Sequence, residues 1–237
     1  MKRITTALLG LVLVAGIAHG EHTFHELELS TGGTLRYALV LPPDFDPDRV
    51  YPALLALPPG PQHEGMVEAG LSRYWGRQAA ESGWLVVSPV APEGVLFFRG
   101  AERHIPDLLE HIRASHRLEG DRFHLAGNSN GGLSAFHIAL DSPDQFHSLL
   151  ALPGFPARDE DFDRLGRLTG KPVRLFVGGA DQRWIPPMER ARDELAEMGE
   201  DVELTILPGE GHVPRSLDGG RFMEELNAVR SLLSGGD

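Results

Sequence analysis

The chain has 237 residues, a net charge of -12 at pH 7, 41% hydrophobic residues and no cysteine. That length suits one domain with a full hydrophobic core, and the acidic balance, with no basic stripe to offset it, argues against a nucleic acid partner. The lack of cysteine excludes disulfides, thiolate catalysis and cysteine-ligated metal sites.

The first twenty residues are typical of a secretory signal peptide. Lys2 and Arg3 precede a short apolar run that ends in small residues at Ala18 and Gly20. The alternative is an uncleaved anchor, but a transmembrane span needs about 20 apolar residues and this run is shorter. No cysteine follows the run, which excludes a lipoprotein anchor. We therefore predict a signal peptide over 1–20, a secreted or periplasmic protein, and no stable membrane partner after cleavage.

The remaining residues, 21–237, predict a single α/β domain. Two early segments predict an antiparallel hairpin, and later continuous apolar runs are typical of strands buried on both faces of a parallel sheet. The predicted strands are Phe24–Leu29, Thr34–Leu41, Tyr51–Leu57, Trp84–Val87, a strand ending before Gly127, Phe146–Leu152, Val173–Val177 and Val202–Leu207. The predicted helices are Ala69–Ser82, Ala101–His116, Asn130–Leu140, Pro187–Met198 and Gly219–Leu233. This alternation predicts a mostly parallel central sheet with helices on both faces. The polar stretch 153–170 is the only room for a lid.

The stretch Gly127-Asn128-Ser129-Asn130-Gly131 carries the strongest functional signal. Gly-x-Ser-x-Gly between a strand and a helix is typical of a nucleophile elbow. The glycines leave room for a close backbone approach, and unpaired N–H groups at the helix start stabilise a developing negative charge. The alternative interpretation is a glycine-rich turn without chemistry.

A serine nucleophile needs a base and an acid that orients the base. In sheets of this kind ligands bind beyond the carboxyl ends of the strands. Asp181 follows one late strand and His212 follows the next, so the order Ser129, Asp181, His212 is nucleophile, acid, base. The competing acids lie in a polar stretch that we expect to be a solvated surface: Asp159, Asp161 and Asp163.

The other histidines do not repeat at a spacing that demands a metal, so we predict no metal site. We expect three of them to face solvent on or near one helix: His104, His111 and His116. We expect three more to be structural or exposed: His124, His137 and His147.

An oxyanion hole needs two N–H donors near the serine hydroxyl. Asn130, directly after the nucleophile, is predicted to supply one. The loop after the third strand is predicted to supply the other, through Gly60 or alternatively Gln62, because the prolines around them cannot donate. That loop could equally be only a rigid turn. Three aromatic residues in loops at this edge are candidates to line the substrate pocket, with ordinary packing as the alternative: Phe97, Phe98 and Trp184.

The chain resembles the α/β-hydrolase superfamily in four motifs: Leu-Pro-Pro-Gly-Pro after the third strand, Gly-Asn-Ser-Asn-Gly-Gly at the elbow, Gly-Gly-Ala-Asp and Gly-Glu-Gly-His. Ser-Asn-Gly-Gly, together with Pro-Asp-Gln-Phe at 143–146, is similar to secreted esterases related to polyhydroxybutyrate depolymerases and feruloyl or acetylxylan esterases. It is also similar to dienelactone hydrolase and prolyl-oligopeptidase relatives. The resemblance implies the α/β-hydrolase fold, a Ser-Asp-His triad and no cofactor. Many relatives carry His-Gly in the oxyanion loop, whereas this chain has Pro58-Pro59-Gly60-Pro61, which leaves the second donor open.

Together these features predict a serine hydrolase, foremost a carboxylesterase that cleaves a small-molecule or polymer ester through an acyl-enzyme. A peptidase, an amidase or a thioesterase is the alternative within hydrolases. Prolyl-oligopeptidase-like peptidases usually carry a further domain, for which we expect no room here. A non-catalytic binding protein on a hydrolase scaffold is the alternative of another class, and the intact Ser129, Asp181 and His212 argue against it. The sequence does not indicate the oligomeric state.

Overall fold

The computed structural model describes residues 22–234, so the predicted signal peptide over 1–20 lies outside the described residues. The strands in chain order are β1 Thr23–Glu28, β2 Thr34–Val40, β3 Val50–Tyr51, β4 Ala53–Leu57, β5 Leu85–Pro89, β6 Arg117–Leu118, β7 Phe123–Gly127, β8 Phe146–Ala151, β9 Val173–Gly178 and β10 Val202–Leu207. The α-helices are α1 Glu64–Gly70, α2 Arg77–Glu81, α3 Ile105–Ser115, α4 Asn130–Asp141, α5 Asp159–Phe162, α6 Ile185–Glu197 and α7 Arg221–Ser234.

Eight strands form the central sheet in the order β1-β2-β5-β4-β7-β8-β9-β10. The hairpin β1–β2 is antiparallel, and β2 pairs antiparallel with β5. All pairs from β5 onward through the order to β10 are parallel. The predicted architecture, a mostly parallel sheet with an N-terminal antiparallel hairpin, is confirmed.

Side chains of the central strands alternate between two apolar layers, one on each face of the sheet. In β4, Leu55 and Leu57 belong to the layer under α3, α4 and α6, while Leu54 and Ala56 belong to the layer under α1, α2 and α7. Burial on both faces explains why β4 reads as a continuous apolar run and why β5, β7 and β9 are mostly apolar, with one polar residue each at Ser88, His124 and Arg174. Because β4, β7, β9 and β10 run parallel, their carboxyl ends lie at one edge of the sheet.

The predicted helix Ala69–Ser82 is instead two short helices joined by a π-helical turn, Leu71–Trp75, which we call the π turn. Tyr74 and Trp75 of this turn pack against Phe222 of α7, and two close local contacts lie at its ends. A Cβ at Gly70 would lie only 3.0 Å from the Trp75 ring, and a Cβ at Gly76 would lie 2.4 Å from the carbonyl oxygen of Leu71. The approach at Gly76 needs glycine, and the approach at Gly70 is tighter than most Cβ contacts, so close packing marks both ends of the π turn.

The stretch 153–170 is only partly solvated: Asp159 and Asp163 are exposed, as expected, whereas other residues are packed. Within it, α5 and a following 3₁₀ turn bury Phe162, Leu165 and Leu168 in the core. The expectation that Asp161 lies on a solvated surface is wrong. Asp161 is 2% exposed, because its carboxylate contacts His137 Nδ1 at 3.2 Å and Arg164 Nη1 at 3.3 Å.

The expectation for the histidines of the α3 region is wrong at one position. His111 is exposed and His116 is half-buried, but His104 is buried at the junction of a 3₁₀ turn with α3. Burial lowers the pKa of His104. Over residues 22–234, no helix is both long enough and apolar enough to cross a bilayer.

Candidate active site

Ser129 stands on the turn between β7 and α4, and its backbone has φ +57°. Such an angle is uncommon for a residue other than glycine and costs energy that the surrounding packing must offset. The packing here is very close. A Cβ at Gly127 would lie 2.0 Å from the carbonyl oxygen of Gly131, and a Cβ at Gly131 would lie 2.1 Å from that of Leu57. The two glycines of the motif therefore let the turn form at this spot.

Backbone hydrogen bonds fix the turn to the end of β8. The Ser129 N–H donates to the Pro153 carbonyl at 2.9 Å, and the Leu133 N–H returns to the Ser129 carbonyl at 3.0 Å. The buried Asn128 side chain donates from Nδ2 to the Leu152 carbonyl. These bonds hold the serine side chain at the carboxyl edge of the sheet.

The structure brings Ser129, His212 and Asp181 together, although they are far apart in sequence. Ser129 Oγ lies 2.8 Å from His212 Nε2, and His212 Nδ1 lies 2.6 Å from Asp181 Oδ2. The Asp181 side chain is 12% exposed and that of His212 is 39% exposed. An imidazole that donates its Nδ1 proton to Asp181 presents an unprotonated Nε2 to the serine hydroxyl. This arrangement can take a proton from Ser129.

Two glycine-bearing turns set the acid and the base side by side. The Ala180 N–H donates to the Glu210 carbonyl at 2.8 Å, which ties the turn after β9 to the turn after β10. A Cβ at Gly178 would lie 2.1 Å from the carbonyl oxygen of Gly211, so the turns touch only because glycine occupies that position. The Trp184 ring packs against the His212 ring with 4.8 Å between centroids.

The two predicted oxyanion donors lie next to Ser129. Asn130 is the first residue of α4, where a backbone N–H has no partner within the helix. Gly60, with φ +56°, lines the same cavity as Ser129. The Asn130 side chain donates from Nδ2 to the Gly60 carbonyl at 2.8 Å and so joins the loop to the elbow. The sequence gives no signal for this contact.

Gln62, the alternative donor, holds the loop together instead of facing Ser129. It is fully buried, and its N–H donates to the Pro59 carbonyl at 3.1 Å. Its side chain donates to the Pro58 carbonyl at 3.1 Å and accepts the Phe97 N–H at 2.9 Å. Gln62 therefore presents no free N–H to Ser129 and instead braces the loop.

A cavity of about 630 Å³ opens beside Ser129 and His212, a volume typical of small-molecule sites. It lies between the Gly60 loop, α1, the π turn and the segment after His212. The sequence did not predict the following lining residues: Met66, Ala69, Gly70, Ser72, Arg73, Tyr74, Val213 and Asp218. Those from 69 to 74 fall in the predicted helix next to the oxyanion loop, and Val213 and Asp218 lie in the segment after His212.

The three predicted pocket aromatics are not among the residues that line this cavity. Phe97 and Phe98 are buried and lie away from this cavity, because ordinary packing beneath their loop takes up both rings. Trp184 contacts His212 on a side that does not line the cavity. The Trp184 ring also packs edge-on against Phe155 at 5.1 Å, which fixes it beside the imidazole.

The far wall of the cavity carries polar groups. Arg73 Nε lies 3.6 Å from Asp218 Oδ1, and the Tyr74 hydroxyl donates to the Pro214 carbonyl at 3.3 Å. Burial raises the pKa of Tyr74 to about 12, so its hydroxyl stays neutral. Within residues 22–234 there is no group of three or more acidic or histidine side chains that could hold a metal ion.

Comparisons with known proteins find esterases and peptidases among the similar chains. Residues 101–196, which include Ser129 and Asp181, match the family model described as "Putative esterase". Dipeptidyl-peptidase 5 of Porphyromonas gingivalis is 28% identical over 146 residues, which are 54% of this chain and 20% of that protein.

Solved structures of hydrolases resemble this chain over most of its length. A thermostable esterase superposes with a TM-score of 0.73 at 16% identity, covering 87% of this chain and 62% of its own. An S-formylglutathione hydrolase from Agrobacterium tumefaciens superposes with a TM-score of 0.67 at 18% identity, covering 90% of this chain and 95% of its own. At these identities the likeness establishes the fold. The chain spans one fifth of the peptidase and less than two thirds of the thermostable esterase.

Proposed function

We propose that this chain is a serine hydrolase of the α/β-hydrolase superfamily, specifically a carboxylesterase. The observation that carries the proposal is the pair of hydrogen bonds linking Ser129 Oγ to His212 and His212 to Asp181, at 2.8 and 2.6 Å. A strained elbow, two nearby N–H groups and an adjacent cavity support it.

In the proposed acylation step, His212 Nε2 takes the Ser129 proton while Oγ attacks the ester carbonyl carbon. The carbonyl electron pair moves onto oxygen, and the backbone N–H groups of Asn130 and Gly60 stabilise that negative charge. When the C–O bond to the alcohol breaks, His212 gives its proton to the leaving oxygen. Asp181 holds the imidazole in the required tautomer and stabilises its protonated form.

Deacylation repeats the same steps with water as the nucleophile. His212 takes a proton from water, the hydroxide oxygen attacks the acyl carbon, and the acid leaves as Ser129 regains its proton. All these transfers use groups of this chain, so the proposed reaction needs no cofactor and no metal. The substrate is an ester, small or polymeric.

An esterase is favoured over a peptidase by the esterase family model, which covers the elbow and the acid. Dipeptidyl-peptidase 5, a peptidase, is also similar, so peptide cleavage is the second candidate. The test is a panel of p-nitrophenyl esters against matched p-nitroanilides and thioesters. Faster turnover of the esters is expected, and faster turnover of the anilides would replace the proposal by the peptidase.

Ser129→Ala is expected to lower turnover about 10⁶-fold. The matched control is Ser142→Ala, at the opposite end of the helix that Ser129 starts, which is expected to keep turnover. Near-normal turnover by Ser129→Ala would mean that another group is the nucleophile.

We also propose that residues 1–20 are a signal peptide, that 21–237 form one catalytic domain, and that the protein is exported. N-terminal sequencing of the protein from culture medium or periplasm is expected to begin at or near residue 21. A chain that keeps its first twenty residues would contradict this.

A further inference from the structure

We propose that Arg73 determines substrate specificity by binding a carboxylate of the substrate, so that the preferred esters carry a negative charge. This inference rests on the proposed esterase function and specifies the class of ester. Arg73 lies on the π turn and lines the cavity that also holds Ser129 and His212.

The backbone around Arg73 is firmly anchored. The Arg73 carbonyl accepts the Gly219 N–H at 3.0 Å, and the neighbouring Tyr74 hydroxyl donates to the Pro214 carbonyl. Tyr74 and Trp75 pack against Phe222 of α7. The π turn is thus tied to the segment that follows His212. A single π-helical turn between short α-helices often marks a functional site, because it aims side chains that a regular helix would not.

The guanidinium of Arg73 has donors to spare. It has five N–H donors, and its neighbours are the Tyr74 hydroxyl and the Asp218 carboxylate. The separation of 3.6 Å from Asp218 exceeds hydrogen-bond length, and both side chains are about 40% exposed. Exposed ion pairs of this kind contribute about 1 kcal/mol or less, so a substrate carboxylate that binds the guanidinium in a bidentate manner can displace the pair.

The negative charge of the whole chain sets the Arg73 guanidinium apart as a site that attracts anions. At a net charge of -12, the surface as a whole repels anions. Among the described residues that line the cavity, Arg73 and His212 are the only basic ones, and Asp218 is the only acidic one. A cation beside the proposed nucleophile therefore provides a local attraction for an anionic ester. The alternative occupant, a cationic ester held by Asp218, is an outcome of the test.

The experiment compares kcat/KM for two matched ester pairs. On the acyl side the pair is mono-p-nitrophenyl adipate and p-nitrophenyl hexanoate, and on the alcohol side it is 4-carboxyphenyl acetate and phenyl acetate. Arg73→Gln is expected to lower the anionic-to-neutral ratio about 10- to 100-fold in at least one pair, mainly through KM. Intrinsic ester reactivity cancels when variants are compared with the wild type.

Two further variants sharpen the test. Arg77→Gln, on the next helix and paired with Glu81 outside the cavity, is expected to keep the wild-type ratio. Asp218→Asn, which removes the competing carboxylate, is expected to raise the ratio, opposite in direction to Arg73→Gln. An unchanged ratio in Arg73→Gln for both pairs overturns the inference. So does a wild-type preference for a cationic ester, p-nitrophenyl 4-aminobutyrate, over the neutral p-nitrophenyl pentanoate. Hydrolysis of none of the esters by the wild type would instead refute the proposed esterase function, and this inference with it.

Discussion

Acidification is expected to destabilise the fold through one buried histidine, His124 of β7. Its ring is 2% exposed, lies edge-on to Trp84 with 5.0 Å between centroids, and contacts the Ser148 hydroxyl through Nδ1 at 2.7 Å. Burial, together with the nearby charges of His147 and Arg230, lowers the pKa of His124 from 6.5 to about 3. The folded chain therefore keeps this imidazole neutral over a range in which the unfolded chain protonates it.

The direction in which pH changes the free energy of unfolding follows from proton linkage. Between pH 6.5 and 3 the unfolded chain binds more protons at this site, so the free energy of unfolding falls as the pH falls. From pH 7 to pH 5 the loss assigned to His124 is about 2 kcal/mol. This figure depends little on the folded pKa as long as that pKa stays below about 4.

The assay is urea unfolding at pH 7 and pH 5 for the wild type and for His124→Asn, which retains a polar group near Ser148 but cannot titrate. The variant is expected to lose about 2 kcal/mol less than the wild type between the two pH values. Three other histidines whose pKa values are lowered by burial contribute equally to both proteins and cancel: His25, His104 and His116. His63→Asn, which removes an exposed ring, is the control and is expected to behave as the wild type. An equal loss in His124→Asn and the wild type would refute this reasoning.

Three further results are expected at the candidate site. Asp181→Asn should lower kcat about 10⁴-fold by favouring the wrong tautomer of His212, and a change below tenfold would remove Asp181 from the mechanism. Asn130→Ala keeps the backbone donor but loses the side-chain hydrogen bond to Gly60. Its kcat should therefore fall about tenfold or more with an unchanged melting temperature. An unchanged kcat would show that this hydrogen bond is not needed. Gly127→Ala would set a Cβ 2.0 Å from a carbonyl oxygen and should cost about 1–3 kcal/mol or more, whereas Gly211→Ala meets nothing within 4 Å. Equal melting temperatures for the two alanine variants would contradict that steric account.

The central sheet and the meeting of Ser129, Asp181 and His212 at its edge could be predicted because each leaves a local sequence signal. Strands buried on both faces read as apolar runs, and glycine-bearing turns stand before Ser129, Asp181 and His212 because the backbones there touch. Parallel strands then bring their carboxyl ends to one edge, which joins residues distant in sequence.

The cavity wall could not be predicted, because its cause is tertiary. Tyr74 and Trp75 of the π turn pack against Phe222 of α7, far along the chain, and a helical pattern does not reveal that contact. Residues of that turn face the cavity instead of the predicted aromatics. Likewise, the polar stretch around Asp161 gives no sign that this acid is buried in contact with His137.

The most direct test of the account is the site of covalent labelling by a fluorophosphonate probe, located by mass spectrometry of the digested protein. The central claim is that His212 activates Ser129 as the nucleophile. The account predicts one labelled residue, Ser129, with labelling lost in Ser129→Ala, slowed in His212→Ala and kept in Ser142→Ala. Labelling of Ser129→Ala at the wild-type rate, or a label on a different residue, would contradict it.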